Sequence, residues 1–261
     1  MSVFVDQMNR KVELPSTPKR IISIVPSQTE LLFDLGLDEE ITGITKFCIH
    51  PADKVKQKQK VGGTKTLNIK LLRELNPDLI IGNKEENEQS QIEELMRDFP
   101  VWMSDIVNLD GALDMIRQVG KLTEKDTEAE KLTNSIRANF DGLHIKTTGL
   151  RVAYLIWRKP FIVAGKGTFI DDMLKRCGLN NDFDLDRYPE VFPAQIVEAN
   201  PNVVLLSSEP YPFKDRHIAE FKALVPHANI QLVDGELFSW YGSRLLHAPG
   251  YFKQLIDSLN Q

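Results

Sequence analysis

The amino-acid sequence predicts an α/β protein: two α/β lobes with parallel sheets, joined by a long α-helix. Three observations predict this. Strand-like and helix-like segments alternate in both halves, which argues for parallel sheets covered by helices. Between the halves, Asp110 to Leu143 carries apolar residues at Leu113, Ile116, Val119, Leu132, Ile136, Phe140 and Leu143, a helical spacing. The third is an internal echo. Leu71 to Ile81 and Gln195 to Leu205 both read as a helix, an Asn-Pro stop and a buried strand. The expected boundaries are 1–105 for the first lobe, 106–147 for the connecting helix and 148–261 for the second lobe.

The elements follow in order. Residues 3 to 14 alternate and turn at Met8-Asn9-Arg10, so they predict a small opening hairpin. Arg20 to Val25 is almost wholly apolar and β-branched, as suits a strand buried on both faces. Ser27 with Glu30 three positions on has the spacing of a capping box, and Gly36 suits the end of the helix that follows. Further strands are expected at Ile41 to Lys46, Asp78 to Gly82 and Val101 to Ser104, with helices at Ile69 to Leu75 and Gln89 to Asp98. The central stretch, if continuous, is about 34 residues and would span roughly 50 Å, the length of a strut between lobes. Thr123 with Asp126 could instead open a second helix there. Beyond Leu150, strands are expected at Arg151 to Trp157, Phe161 to Ala164, Val203 to Ser207 and Ile230 to Val233. Helices are expected at Thr168 to Arg176, Gln195 to Ala199, Asp215 to Leu224 and Gly250 to Leu259.

Composition narrows the function. A net charge of −5 does not favour a nucleic-acid partner, and the lysines from Lys54 to Lys60 read as a solvated face. Cys48 and Cys177 form no CxxC pair and read as small buried hydrophobes. No window is apolar enough for a membrane span, and the first residues lack the pattern of a secretory leader.

In open parallel sheets ligands lie beyond the carboxyl ends of the strands. The segments after the predicted strands hold Phe47, His50, Glu85, Trp157, Arg158, Tyr211, Trp240, Tyr241, Arg244 and, nearby, His247. Aromatic faces beside guanidinium groups suit a flat or anionic ligand of moderate size. Enzyme motifs fail. Gly165-Lys166-Gly167-Thr168 lacks the glycine and hydroxyl positions of a phosphate loop, and no nucleophile elbow is present. The five histidines make no HExxH pair, so no metal site is expected, and His144, His217 and His227 read as surface residues.

The run from Asp6 to Pro15, then Pro18 to Glu30, Val61-Gly62-Gly63 and Asn76-Pro77-Asp78-Leu79-Ile80 resembles the helical-backbone metal-chelate substrate-binding proteins of ABC importers. These deliver ferric siderophores, haem or cobalamin, and the cobalamin-binding branch is the one most resembled. The resemblance implies a monomeric, extracytoplasmic or periplasmic binding protein, no catalysis and no intrinsic cofactor. It also implies a metal chelate held in a cleft between two lobes by aromatic, Arg or Tyr side chains, and an ABC permease as partner. Phe47 matches a pocket aromatic of the cobalamin binders, whereas Thr64 stands where they have a pocket tryptophan. The family's docking glutamates, seven residues before Pro77 and Pro201, are Lys70 and Ala194 here, with Glu74 and Glu198 nearby.

The residues expected to bind ligand are Phe47, Trp157, Arg158, Trp240, Tyr241 and Arg244, followed by His50, Glu85, Tyr211 and His247. The alternatives are a cytoplasmic relative of the same fold that stores or senses such a ligand, and a chelatase-like enzyme.

Overall fold

The computed structural model describes residues 2–145 and 148–260, so the end of the expected connecting segment, 146–147, lies outside the described residues. The chain divides into two compact units. Unit 1 takes residues up to 106, then 110–136 and 241–244; unit 2 takes 107–109, 137–240 and 245 onward.

Unit 1 opens with an antiparallel hairpin, β1 (Ser2–Val5) and β2 (Lys11–Leu14). Its turn closes around the buried Asp6 carboxylate, which accepts from the Met8 and Arg10 amides and from the Arg10 guanidinium. The sheet runs β5-β4-β3-β6-β7, every pair parallel. Its strands are β3 (Ile21–Ser23), β4 (Ile41–Ile44), β5 (Gln59–Lys60), β6 (Leu79–Asn83) and β7 (Val101–Ser104). Strands β3, β6 and β7 are buried along their whole length, as suits apolar runs, and each ends in a buried polar residue, Ser23, Asn83 or Ser104. Helices α1 (Pro26–Asp34), α2 (Ile69–Leu75) and α3 (Gln89–Leu95) make the crossovers. Helix α1 starts one residue before the expected cap. Pro26 takes the first helical position, where its fixed φ suits the turn, and Val25 is the N-cap. The Ser27–Glu30 capping box is therefore not formed, and the buried Ser27 hydroxyl has no hydrogen-bond partner.

The expected connecting helix is two helices, α4 (Leu109–Leu122) and α5 (Asp126–Asp141). Thr123 ends the first, with its hydroxyl bonded back to the Val119 carbonyl at 2.8 Å. Glu124 adopts a left-handed φ of 57°, and the Lys125 amide reaches the Gly120 carbonyl at 2.8 Å. This six-to-one closure satisfies the last carbonyls of a helix and stops its propagation.

Unit 2 has the sheet order β11-β9-β8-β12-β13, with β10 beside β8. The strands are β8 (Arg151–Trp157), β9 (Phe161–Val163), β10 (Asn180–Asn181), β11 (Glu190–Val191), β12 (Val203–Ser207) and β13 (Asn229–Val233). The helices are α6 (Phe169–Arg176), α7 (Pro193–Ala199), α8 (Asp215–Leu224), α9 (Glu236–Ser239) and α10 (Ala248–Leu259). Strands β8, β12 and β13 are parallel, but β9 runs antiparallel to β8. The segment after β9 thus leaves from the opposite edge, away from the other loops with which the sequence grouped it. There Thr168 caps α6 by accepting from the Asp171 amide.

Both cysteines are buried and free, and burial pushes their thiols above the ordinary range. Among the described residues no helix is long and apolar enough to cross a membrane.

The echoed Asn-Pro segments share a backbone geometry. Asn76 after α2 and Asn200 after α7 end their helices in the left-handed conformation, with φ of 46° and 52°. Asparagine tolerates this region and alanine does not. Asn76→Ala and Asn200→Ala should each lower unfolding stability by about 1 kcal/mol, while the glycine variants should not. Urea unfolding of the four variants checks this.

Candidate functional site

In unit 1 the carboxyl ends of β3, β4, β6 and β7 lie on one edge of the sheet because all the strands are parallel. Beyond β4 the chain is pinned where the Lys46 amide donates to the Gly62 carbonyl at 2.8 Å. Cys48 turns inward onto the Thr29 and Thr45 hydroxyls. Its neighbours are forced outward: Phe47 is 51% exposed and Ile49 is 50% exposed. The Lys46 ammonium sits 5.1 Å from the Phe47 ring centroid. Gly63 allows this packing, since a Cβ there would stand 3.1 Å from the ring. His50 is partly buried in the same loop.

Beyond β6, the buried Asn83 side chain accepts from the Glu85 and Glu86 amides at 2.8 and 3.2 Å. Asn87 donates to the carbonyls of Ile24 and Thr64. This asparagine framework holds Glu85 and Glu86 at the edge, both partly exposed. The late segment 241–244 packs on the same unit. The Tyr241 hydroxyl donates to Glu86 at 2.9 Å, Ser243 to Asp34, and Arg244 grips Glu30 with two bonds of 2.9 and 2.5 Å. Gly242 allows the approach to α1, where a Cβ would lie 2.6 Å from the Ser27 carbonyl.

In unit 2, β8, β12 and β13 end on a common edge. Trp157 is 39% exposed and stands edge-on to Tyr211, with ring centroids 5.8 Å apart. Tyr211 packs on Phe213 in turn. Arg158 donates to Glu220 at 2.7 Å, and this carboxylate raises the guanidinium pKa further. Trp240 is only 6% exposed, and its indole N–H donates to Glu209 at 2.9 Å. Burial, with Glu236 and Asp234 nearby, pushes the Glu209 carboxyl above its ordinary value, against the downward pull of Ser239 and Trp240. His247 stands apart from the Trp157–Tyr211 pair, in a groove of about 740 Å³ shared with Asn139, Leu143, Tyr251 and Lys253.

The structure therefore groups Trp157, Arg158 and Tyr211 in unit 2 and Tyr241 with the Glu85–Glu86 loop in unit 1. Sequence reasoning missed the carboxylates Glu30, Glu86, Glu209 and Glu220, which hold Arg244, Tyr241, Trp240 and Arg158. No local pattern could reveal partners as far apart in sequence as Arg244 and Glu30. Each arginine stands in its own unit with its charge already balanced, Arg244 in unit 1 and Arg158 in unit 2, while Phe47 of unit 1 and Trp157 of unit 2 offer uncovered ring surface.

The periplasmic binding protein family matches residues 21–224. The chain belongs to the periplasmic binding protein family. A vitamin B12-binding protein of Vibrio campbellii is 27% identical over 214 residues, covering 80% of this chain and 77% of the relative. Among solved structures, a possible iron-binding (periplasmic solute-binding) protein from Staphylococcus epidermidis is 25% identical. It has a TM-score of 0.78, covering 94% of this chain and 100% of that one. The periplasmic vitamin B12 binding protein of Vibrio cholerae has a TM-score of 0.80 at 21% identity, covering 95% and 100%; it shares the fold. Proteins of this family bind solutes and are not enzymes.

One periplasmic binding protein feature here is sensitive to acid. His217, expected at the surface, is 4% exposed. Its Nδ1 accepts from the Lys214 amide at 2.8 Å in the first turn of α8, and its ring packs on Tyr211. Burial, with the cations Arg216 and Arg158, holds its pKa below the usual 6.5. The unfolded chain therefore takes up the proton first, and stability present above that value is lost as pH falls below it. Urea midpoints of the wild type should drop between neutral pH and about pH 5. His217→Asn keeps an acceptor for the Lys214 amide and should flatten that drop.

Proposed function

We propose that this chain is a substrate-binding protein that captures a metal chelate for an ABC importer outside the cytoplasm, and that the chelate is a corrinoid. The observation that carries the reading is made in each unit separately: Phe47 in unit 1 and Trp157 in unit 2 present uncovered aromatic surface, while the arginine of each unit's loops, Arg244 and Arg158, has its charge already spent on Glu30 and Glu220. Flat apolar faces stack on a macrocycle, and arginines so paired give little extra attraction for an anionic ferric siderophore or haem. The vitamin B12-binding relatives support the same ligand. Phe47 and Trp157 would stack on the ligand. Tyr211, Tyr241, Glu85 and His50 would supply polar contacts at the rim. Arg158, Arg244 and Trp240 would hold the loops in shape, and His247 would lie at the margin.

A second reading, the cytoplasmic storing or sensing relative, is favoured by the expected docking positions. Lys70 is exposed and pairs with Glu74 at 3.9 Å, and Ala194 is exposed on α7. Neither offers a carboxylate to arginines of a permease.

The test is a ligand panel of ferric hydroxamate, ferric catecholate, haem and cyanocobalamin, read by quenching of tryptophan fluorescence. Saturable binding of cyanocobalamin is expected; binding of a ferric siderophore instead would replace the corrinoid. Phe47→Ala and Trp157→Ala should each weaken that binding at least tenfold, about 1.4 kcal/mol. An unchanged dissociation constant would remove the altered residue from the site.

A further inference from the structure

Glu209 sits in the first turn of chain beyond β12, at the edge that also carries Trp157 and Trp240. Its backbone is fixed: the Ser207 hydroxyl donates to the Glu209 carbonyl at 2.6 Å. Its side chain lies over Gly235, where a Cβ would come within 2.7 Å of the Glu209 Cγ. One carboxylate oxygen, Oε1, takes both the Ser239 hydroxyl at 2.5 Å and the Trp240 indole at 2.9 Å. No described residue bonds to Oε2, and no cation pairs with this carboxylate, unlike Glu30 and Glu220. The residue remains partly exposed.

We propose that Glu209 determines the charge specificity of the site: Oε1 locks the Trp240 corner, and Oε2 accepts an amide N–H from the ligand rim while repelling a carboxylate there. This rests on the corrinoid reading above, because a corrinoid carries a rim of carboxamides. A neutral amide donor satisfies the oxygen, whereas a ligand carboxylate at the same place meets like charge. The interaction discriminates by rejecting the wrong rim group as well as by rewarding the right one.

The experiment compares cyanocobalamin with its separated monocarboxylic acids, in each of which one rim amide has been hydrolysed. The ring and its shape stay constant and only the charge changes. Wild-type protein should bind at least one acid isomer about tenfold more weakly than cyanocobalamin. Glu209→Gln retains an acceptor for Trp240 and should bring that isomer close to parity. Glu209→Asp keeps the charge and should keep the discrimination, which separates charge from packing. Equal discrimination in wild type and Glu209→Gln, or none in wild type, overturns the assignment while leaving the corrinoid reading in place. Failure of the wild type to bind cyanocobalamin overturns both.

Discussion

Parallel pairing constrains everything else in this molecule. A strand that leaves a parallel sheet can return only through a crossover, so the chain must deliver each strand's last residue to the same edge. In unit 1 this brings the strand ends Ser23, Ile44, Asn83 and Ser104 to the same edge, with Asn83 and Ser104 reaching two residues beyond the level of Ser23 and Ile44, and the loops beyond them inherit that proximity. In unit 2 the rule holds for β8, β12 and β13 and is broken by β9. That reversal decides which loops belong to the candidate site. Trp157 and Tyr211 share an edge, and the Gly165–Thr168 segment instead bonds to the 185–187 backbone and starts α6.

Charge balance is the second layer. Arg158 and Arg244 are fixed by carboxylates on other elements, and the geometry is bidentate in the second case. A guanidinium held in this way stiffens the loop that bears it and contributes little net field. The aromatic rings are displayed by the opposite logic. Cys48 sinks into a polar niche, so Phe47 must face out. Among the described residues no cation pairs with Glu209, whose hydrogen-bond donors Ser239 and Trp240 are neutral.

The elements were legible because their signals are local. The runs 69–75, 101–104, 151–157, 203–207 and 215–224 are found where periodicity and propensity place them. Short strands with no apolar run, β5, β10 and β11, carry no such signal and are fixed by pairing alone. The break between α4 and α5 depends on a left-handed glutamate, which sequence does not announce, although the Thr123–Asp126 spacing marked the place. The residues of the candidate site were also findable, as loop residues after strands. What each one does locally was not, because Trp240 and Arg244 take their roles from carboxylates on other parts of the chain.

The buried cysteines have a practical consequence. Cys48 is held by two threonine hydroxyls and Cys177 is fully buried, and both thiols resist ionisation. Nucleophilic attack on an alkylating dye needs the thiolate, so neither is expected to label readily in the native state. A cysteine introduced at an exposed position of the 157–160 loop would then be the dominant reactive handle in the chain. An environment-sensitive fluorophore attached there would turn the native protein into a reagentless optical sensor for its own cargo.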